Sequence, residues 1–130
     1  KGDQTSQDTK NTIIALSKDL NKVPIECNDS PGFVSNRILM PMINEAAHCF
    51  DEGVANAESI DSIMKLGMGH PMGPLKLADL IGIDVCVFIL DVLYDGFKNE
   101  KYKPSEILIN MMNNNKLGKK TGEGFYKYEL

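Results

Sequence analysis

In this chain of 130 residues, the side chain most suited to a chemical role is an asparagine amide on a predicted long helix. Ser30 can cap this helix and Pro31 suits its first position, so the helix is expected to begin at Pro31. It should continue to about Phe50, with a kink at Pro41. At about 100° per residue, Asn36 falls among apolar side chains and not on the polar side of the helix. An amide buried without a partner costs ~1–3 kcal/mol, so Asn36 must bond either to the protein, as a structural amide, or to a ligand.

A narrow polar stripe runs along the same helix and is expected to face solvent. Its members, spaced at i, i+4, i+7 and i+11, are Arg37, Pro41, Asn44 and His48. Neither His48 nor the second histidine, His70, has an evident carboxylate and nucleophile beside it. Both histidines are therefore expected to be structural or surface residues.

The C-terminal end of the chain contains a stretch rich in glycine and lysine that could approach an anion. Residues 118–124 read GKKTGEG, which superficially resembles a phosphate-binding loop. The lysines precede the second glycine, however, and no strand leads in and no helix follows, so a P-loop is not predicted. Mobile backbone carrying Lys119 and Lys120 could still reach a phosphate or carboxylate bound nearby.

The residues after position 28 are expected to form about five helices and no strand. Beyond the long helix, helices are predicted to begin at Asn56, in the turn at residues 69–74, at Asp84, and at Pro104 or Ser105. The segment after Asp84 contains β-branched residues, but its continuous length favours a buried helix over a strand. The fold class predicted for this body is therefore all-α.

The first 28 residues are expected to belong to a different structural unit. Thr5 or Ser6 can cap an amphipathic helix, and residues 23–27 then alternate apolar and polar side chains as a short strand does. A lone strand has nothing to pair with in this chain, so its sheet is expected to lie outside this sequence. Because Lys1 is not a natural start, we expect the chain to be a piece of a longer protein.

Length, charge and composition limit the classes of protein to which the chain can belong. A chain of 130 residues suits about one domain, and 42% hydrophobic residues supply a core. A net charge of −4 is the wrong sign for a nucleic-acid binder. The longest apolar run, residues 85–90, is far shorter than the ~20 residues of a membrane span. Three separated cysteines without a CxxC pair predict neither a disulfide framework nor a metal site.

Several motifs, in order along the chain, resemble those of the 3-hydroxyacyl-CoA dehydrogenases. Residues 29–39, DSPGFVSNRIL, resemble the D-x-P-G-F-x-x-N-R-[IL]-[IL] run of that family. The other matching stretches are residues 44–46, 61–67, 70–74, 79–84 and 118–126. Residues 80–84 and 101–104 look most like the short-chain, 3-hydroxybutyryl-CoA type.

The resemblance implies a division of the chain into two parts. Residues 29–130 look like the helical C-terminal dimerisation and substrate domain of these dehydrogenases, which is of the 6-phosphogluconate dehydrogenase C-terminal-like type. Residues 1–28 look like the last helix and strand of the family's NAD-binding Rossmann domain. The G-x-G-x-x-G fingerprint of that domain and the family's histidine-glutamate pair are absent from this sequence.

The implied reaction is oxidation of the 3-hydroxyl of an acyl-CoA to a 3-ketoacyl-CoA, in fatty-acid or butanoate metabolism, with hydride passing to NAD. Asn36 matches the family's active-site asparagine, and Lys120 matches a tail lysine that reaches NAD. The fragment alone is then expected to be inactive. The implied partners are acyl-CoA and a second copy of the chain in a homodimer. The implied location is intracellular, in the mitochondrial matrix or the bacterial cytoplasm. The alternative is a non-catalytic helical module for dimerisation or acyl-CoA binding.

Overall fold

The computed structural model describes residues 1–129, which form six α-helices and two short 3-10 helices. The α-helices are α1 (Gln7–Asp19), α2 (Ser35–Asp51), α3 (Ala57–Met68), α4 (Pro74–Ile81), α5 (Ile83–Phe97) and α6 (Glu106–Asn113). The 3-10 helices are Glu100–Tyr102 and Lys119–Thr121. Apart from isolated bridges near the C-terminus, the described residues form no strand, so the predicted all-α class is confirmed. None of these helices combines the length and apolarity needed to cross a bilayer.

The main core lies around α5. Its inward side chains are fully buried and are Ile83, Cys86, Leu90 and Leu93. They belong to one cluster with buried side chains of α2 and α6, among them Met40, Ile43 and Leu108. The β-branched residues of this segment are accommodated in a helix because α2, α4 and α6 all lie against it. The predicted buried helix is therefore confirmed, although it begins at Ile83, one residue before the expected cap.

A second, smaller cluster joins α2, α3 and α4 to the C-terminal tail, by which we mean residues 116–129. Its buried members are Ala46, Ala57, Ile60 and Leu75. Phe125 of the tail packs edge-on against Phe50, with ring centroids 5.4 Å apart, and it also contacts the main core. The tail is therefore part of the packed body.

The predicted start of the long helix at Pro31 is wrong, because α2 begins at Ser35. Residues 31–34 form a turn in which Gly32 has φ +70° and Phe33 has φ +50°, values that a right-handed helix excludes. The cause is a contact distant in sequence. Pro31 packs so tightly on α5 that a Cβ added at Gly96 would overlap its ring. This contact redirects the chain before α2 can begin.

The N-terminal segment stands apart from the helical body. The Ser6 hydroxyl caps α1 by accepting from the Thr9 N–H at 3.1 Å, as predicted. Within the described residues, α1 lies against none of the other helices and buries none of its own side chains. Residues 22–30 form neither helix nor strand, since no neighbouring strand offers them a hydrogen-bond ladder. A Lys10–Glu26 ion pair at 3.1 Å ties α1 to this extended segment.

Candidate functional site

Asn36 lies in the first turn of α2 with its side-chain amide available. It is partly exposed, and among residues 1–129 its amide has no hydrogen-bond partner. The turn before α2 approaches it closely, because a Cβ added at Gly32 would lie 3.3 Å from the Asn36 Cβ and 2.6 Å from Leu93 Cδ2. The expected apolar surround is thus only partial. The Asn36 amide is therefore open to water or to a ligand, and the full burial on which the choice between the two roles depended is not observed.

The structural amide of α2 is Asn44, which helical periodicity assigned to the solvent-facing stripe. Asn44 is only 6% exposed. Its Nδ2 donates to the Lys103 carbonyl at 3.0 Å, and its Oδ1 accepts from the Ser105 N–H at 2.8 Å. The prediction of a solvated stripe is therefore wrong at this position. The chain between α5 and α6 returns over α2, and a helical projection contains no information about such a connection.

Arg37 contacts the same connection between α5 and α6. Its Nε donates to the Tyr102 hydroxyl at 3.3 Å, and its guanidinium lies 4.3 Å from the centroid of the Phe97 ring. Burial alone would raise the pKa of Tyr102, but hydrogen bonds from Arg37 and Lys101 outweigh it and lower that pKa. Through these contacts, Arg37 holds the 3-10 helix Glu100–Tyr102 close to α2.

The two histidines lie in different parts of the fold, and neither is next to Asn36 in the sequence. His48 is half-buried near the C-terminal end of α2. His70 follows α3, where its backbone N–H donates to the Met64 carbonyl at 3.3 Å. Among the residues described, neither imidazole has a hydrogen-bonded carboxylate, and no group of three or more potential metal ligands forms.

Lys120 lies in the tail, with its ammonium at the beginning of α5. Its Nζ is 2.5 and 2.7 Å from the two carboxylate oxygens of Asp84. Burial alone would raise the pKa of Asp84, but the Lys120 ammonium and backbone N–H groups outweigh it and hold that pKa below its usual value. The Lys120 side chain is 44% exposed, so the ammonium is paired and still accessible to a ligand.

Two buried carboxylates that the sequence did not single out hold the tail in place. Asp79, on α4, accepts from the N–H groups of Phe125 and Tyr126 and from the Tyr128 hydroxyl, each at 2.9 Å. It is 1% exposed. Burial raises the pKa of Asp79 despite these bonds, and burial with the adjacent carboxylate raises the pKa of Tyr128.

Asp61, on α3, has a closely similar set of partners. It accepts from the N–H groups of Leu75 and Lys76 at 2.8 and 2.9 Å, and from the Tyr126 hydroxyl at 2.7 Å. It thereby caps the N-terminus of α4 and binds the tail. One sequence signal could have found both aspartates, because each follows the apolar periodicity of its helix at a position that should be buried.

The structure places the two predicted site residues at different points along α5. Gly32 lies close to both Asn36 and Leu93 of α5, whereas the Lys120 ammonium is bonded to Asp84 at the beginning of α5. A separation of nine residues corresponds to ~13 Å along a helix axis. Asn36 and Lys120 therefore lie near different turns of α5 and do not form one cluster.

Comparison with known proteins gives a consistent result over almost the whole chain. The family model for the 3-hydroxyacyl-CoA dehydrogenase C-terminal domain matches residues 32–128. A 3-hydroxybutyryl-CoA dehydrogenase of Clostridioides difficile is 54% identical over 98% of this chain and 45% of its own length. The human mitochondrial hydroxyacyl-coenzyme A dehydrogenase is 45% identical over 99% of this chain and 41% of its own length.

A solved structure shows the same arrangement. The crystal structure of (S)-3-hydroxybutyryl-CoA dehydrogenase from Ralstonia eutropha superposes with a TM-score of 0.95 at 50% identity. The match covers 98% of this chain and 45% of that one. The chain thus spans less than half the length of each of these relatives.

Proposed function

The chain belongs to the 3-hydroxyacyl-CoA dehydrogenase C-terminal domain family, and from that membership we propose that it is the helical half of an NAD-dependent 3-hydroxyacyl-CoA dehydrogenase. The substrate that the named relatives favour is 3-hydroxybutyryl-CoA. In this proposal the remaining half supplies the dinucleotide-binding domain and the base that takes the hydroxyl proton.

The observation that carries the proposal is the unpartnered amide of Asn36. NAD, when bound, accepts the hydride from carbon 3 of the substrate. The oxygen on that carbon gains carbonyl character as the hydride leaves, and a fixed donor lowers the energy of that change. An asparagine can donate from Nδ2 to such an oxygen and accept at Oδ1 from an imidazole N–H. Asn36 stands ready for both bonds because no protein group in residues 1–129 occupies its amide.

Lys120 is the residue proposed to contact NAD from this half of the enzyme. Its ammonium is accessible and can form charge-assisted hydrogen bonds with a phosphate or hydroxyl oxygen. Asp84 holds the ammonium near the start of α5 until a ligand competes for it. Because Asn36 and Lys120 do not share one cluster, the extended combination of dinucleotide and acyl-CoA suits their separation.

The division of the chain at residues 28 and 29 is part of the same proposal. Within the described residues, α1 contacts none of the other helices, and its apolar side chains Ile13 and Leu16, like Leu20 directly after it, are more than half exposed. Side chains of this kind normally pack against a partner surface. We assign residues 1–28 to the end of the dinucleotide-binding domain, and residues 29–130 to the helical domain.

A homodimer and an intracellular location complete the proposal. The exposed apolar side chains Phe88 and Val92 on α5 offer a surface for a second copy. The relatives include bacterial proteins and mitochondrial ones, which supports either of those two compartments.

The experiment that tests the function compares the full-length protein with residues 1–130 alone, using oxidation of NADH that depends on acetoacetyl-CoA. We expect turnover at enzymatic rates, ~1 per second or more, from the full-length protein only. A full-length protein that binds acyl-CoA but never oxidises NADH would favour the alternative, a non-catalytic binding module. Turnover by residues 1–130 alone would contradict the proposed division of labour.

A further inference from the structure

We propose that Asp79 is a positioning residue for Lys120, because its carboxylate fixes the loop that carries this lysine (residues 118–124, the Lys120 loop). The inference rests on the proposed function, in which Lys120 contacts NAD. In this role, the buried Asp79 carboxylate on α4 supports NAD binding without contacting NAD itself.

The Asp79 carboxylate holds the chain immediately after the Lys120 loop. Both of its oxygens accept from consecutive backbone N–H groups, those of Phe125 and Tyr126, at 2.9 Å. The Tyr128 hydroxyl adds a third bond at 2.9 Å. Bonds to two successive peptide groups fix the direction of the backbone as well as its position, because each N–H must point at its own oxygen.

The beginning of the Lys120 loop also lies on Asp79. A Cβ added at Gly118 would overlap the Asp79 backbone, and one added at Gly124 would overlap its carboxylate. The Gly118 N–H donates to the Glu123 carbonyl at 2.8 Å, which joins the two ends of the loop to each other. Both ends of the loop therefore lie against Asp79, whose backbone contacts the first end and whose carboxylate bonds the chain that follows the second.

Other hydrogen bonds of the loop stay within the tail, such as those from the Tyr128 N–H to the Gly122 carbonyl at 2.8 Å and from the Leu117 N–H to Thr121 Oγ1 at 2.9 Å. Just before the loop, the Ile83 N–H donates to the Leu117 carbonyl at 3.2 Å. The Lys116–Glu123 ion pair, at 2.8 Å, joins side chains that are more than 40% exposed, and exposed pairs of this kind contribute little. The Lys120–Asp84 pair must yield when a ligand takes the ammonium. If the Asp79 bonds are lost, we therefore expect the loop to become mobile while the core around α5 stays folded.

An aspartate at this buried position also indicates that residue 79 orients the backbone and does not merely fill space. Replacing a buried ionic group by an apolar one of similar volume is often neutral or stabilising. Burial raises the pKa of Asp79, which shows that its surroundings disfavour the charge in spite of the three hydrogen bonds. The compensating gain, in this interpretation, is a fixed backbone path for the Lys120 loop.

The test uses Asp79→Asn in the full-length enzyme, with Asp61→Asn as the matched control. An asparagine of the same shape has one acceptor oxygen, so it cannot satisfy both N–H groups. Asp61 also accepts from two backbone N–H groups and a tyrosine hydroxyl, but its two N–H partners are in α4. Both variants should lose stability, but Asp79→Asn should change how Lys120 is presented by more than Asp61→Asn does, because the only bond of Asp61 to the tail goes to the Tyr126 side chain and not to its backbone.

We expect Asp79→Asn to raise the KM for NAD at least about tenfold with kcat within about twofold, because one charge-assisted hydrogen bond is lost from the loop anchor. In the enzyme without NAD, amide hydrogens of the Lys120 loop should exchange faster in Asp79→Asn than in Asp61→Asn. Tyr128→Phe, which removes one bond and keeps both backbone contacts, should shift both quantities in the same direction by a smaller amount.

The outcomes separate this inference from the proposed function. If Lys120→Ala raises the KM for NAD and Asp79→Asn leaves both the KM and the exchange rates at the control's values, the positioning role is wrong and the function stands. Equal increases in KM for Asp79→Asn and Asp61→Asn would also overturn it. If Lys120→Ala leaves the KM unchanged, then the contact of Lys120 with NAD and the positioning role fail together.

Discussion

At the scale of single residues, α2 carries two asparagines in opposite situations. Asn44 is buried, and both ends of its amide are bonded to the backbone at Lys103 and Ser105. Asn36 is partly exposed, and within residues 1–129 its amide is unbonded. The first residue can serve the fold, and the second is available to a ligand.

We expect Asn44→Ala to lower the free energy of unfolding by ~1–3 kcal/mol, because it leaves the Ser105 N–H and the Lys103 carbonyl without partners in a buried place. Urea unfolding of the full-length protein measures this change. Asn110→Ala, at an exposed position on α6, is the control and should cost less. A loss for Asn44→Ala no larger than for the control would show that water replaces the amide.

At the scale of elements, the turn before α2 depends on backbone that only glycine adopts easily. Gly32 has φ +70°, and a Cβ there would also collide with the Leu93 side chain. Gly53 provides a matched control, because it has φ +72° and nothing within 4 Å of an added Cβ. We expect Gly53→Ala to cost ~1 kcal/mol of unfolding free energy for its backbone alone, and Gly32→Ala distinctly more. Equal losses would mean that the turn can move away from α5.

The attachment of the tail to α5 should depend on pH through Asp84. Its pKa is lowered in the folded protein, so the Lys120–Asp84 pair stabilises the fold above the ordinary aspartate pKa of 3.8. That contribution is lost as the pH falls through the lower folded pKa. At neutral pH we expect Asp84→Asn to cost about 1 kcal/mol or less, since the pair is partly exposed. Unfolding of both proteins from pH 7 to pH 2 should show the difference vanish, and a difference independent of pH would contradict the account.

The sequence predicts those elements whose signals are local and misses those set by distant contacts. Ser6 and Asn56 cap α1 and α3 as expected, because a cap bonds within three residues. The shift of the α2 start depends on Pro31 meeting Gly96, which no local pattern reveals. Helical periodicity places Asp79 at a position that should be buried, but it does not reveal which groups the carboxylate binds, because those partners lie 46 to 49 residues further along the chain. For Asn36, periodicity left the role open, and the proposed role comes from the family motif.

At the scale of the whole molecule, apolar side chains lie exposed on the outer face of α5. Phe88 is 60% exposed and Val92 is 58% exposed, and they follow each other at i, i+4 on one face. Single exposed apolar residues are ordinary, but neighbouring ones on a rigid helix suit an interface. A symmetric pair of copies is the commonest arrangement for such a face.

We therefore expect the full-length protein to sediment as a homodimer at tens of micromolar, and Phe88→Glu to shift it to monomer. Val54→Glu is the control, because Val54 is 69% exposed in the connection after α2 and lies on no helix. This control should remain dimeric. A wild-type monomer, or a Phe88→Glu protein that sediments as the wild type does, would reject α5 as the interface.

Turnover and unfolding of Asn36→Ala in the full-length enzyme separate a catalytic role of this amide from a structural one. If the Asn36 amide holds the reacting oxygen, its removal should lower kcat roughly a hundredfold to a thousandfold. The free energy of unfolding should stay nearly unchanged, because no hydrogen bond within residues 1–129 is lost. Near-normal turnover together with a loss of ~1–3 kcal/mol in unfolding free energy would show instead that Asn36 is a structural amide, and would contradict the central claim.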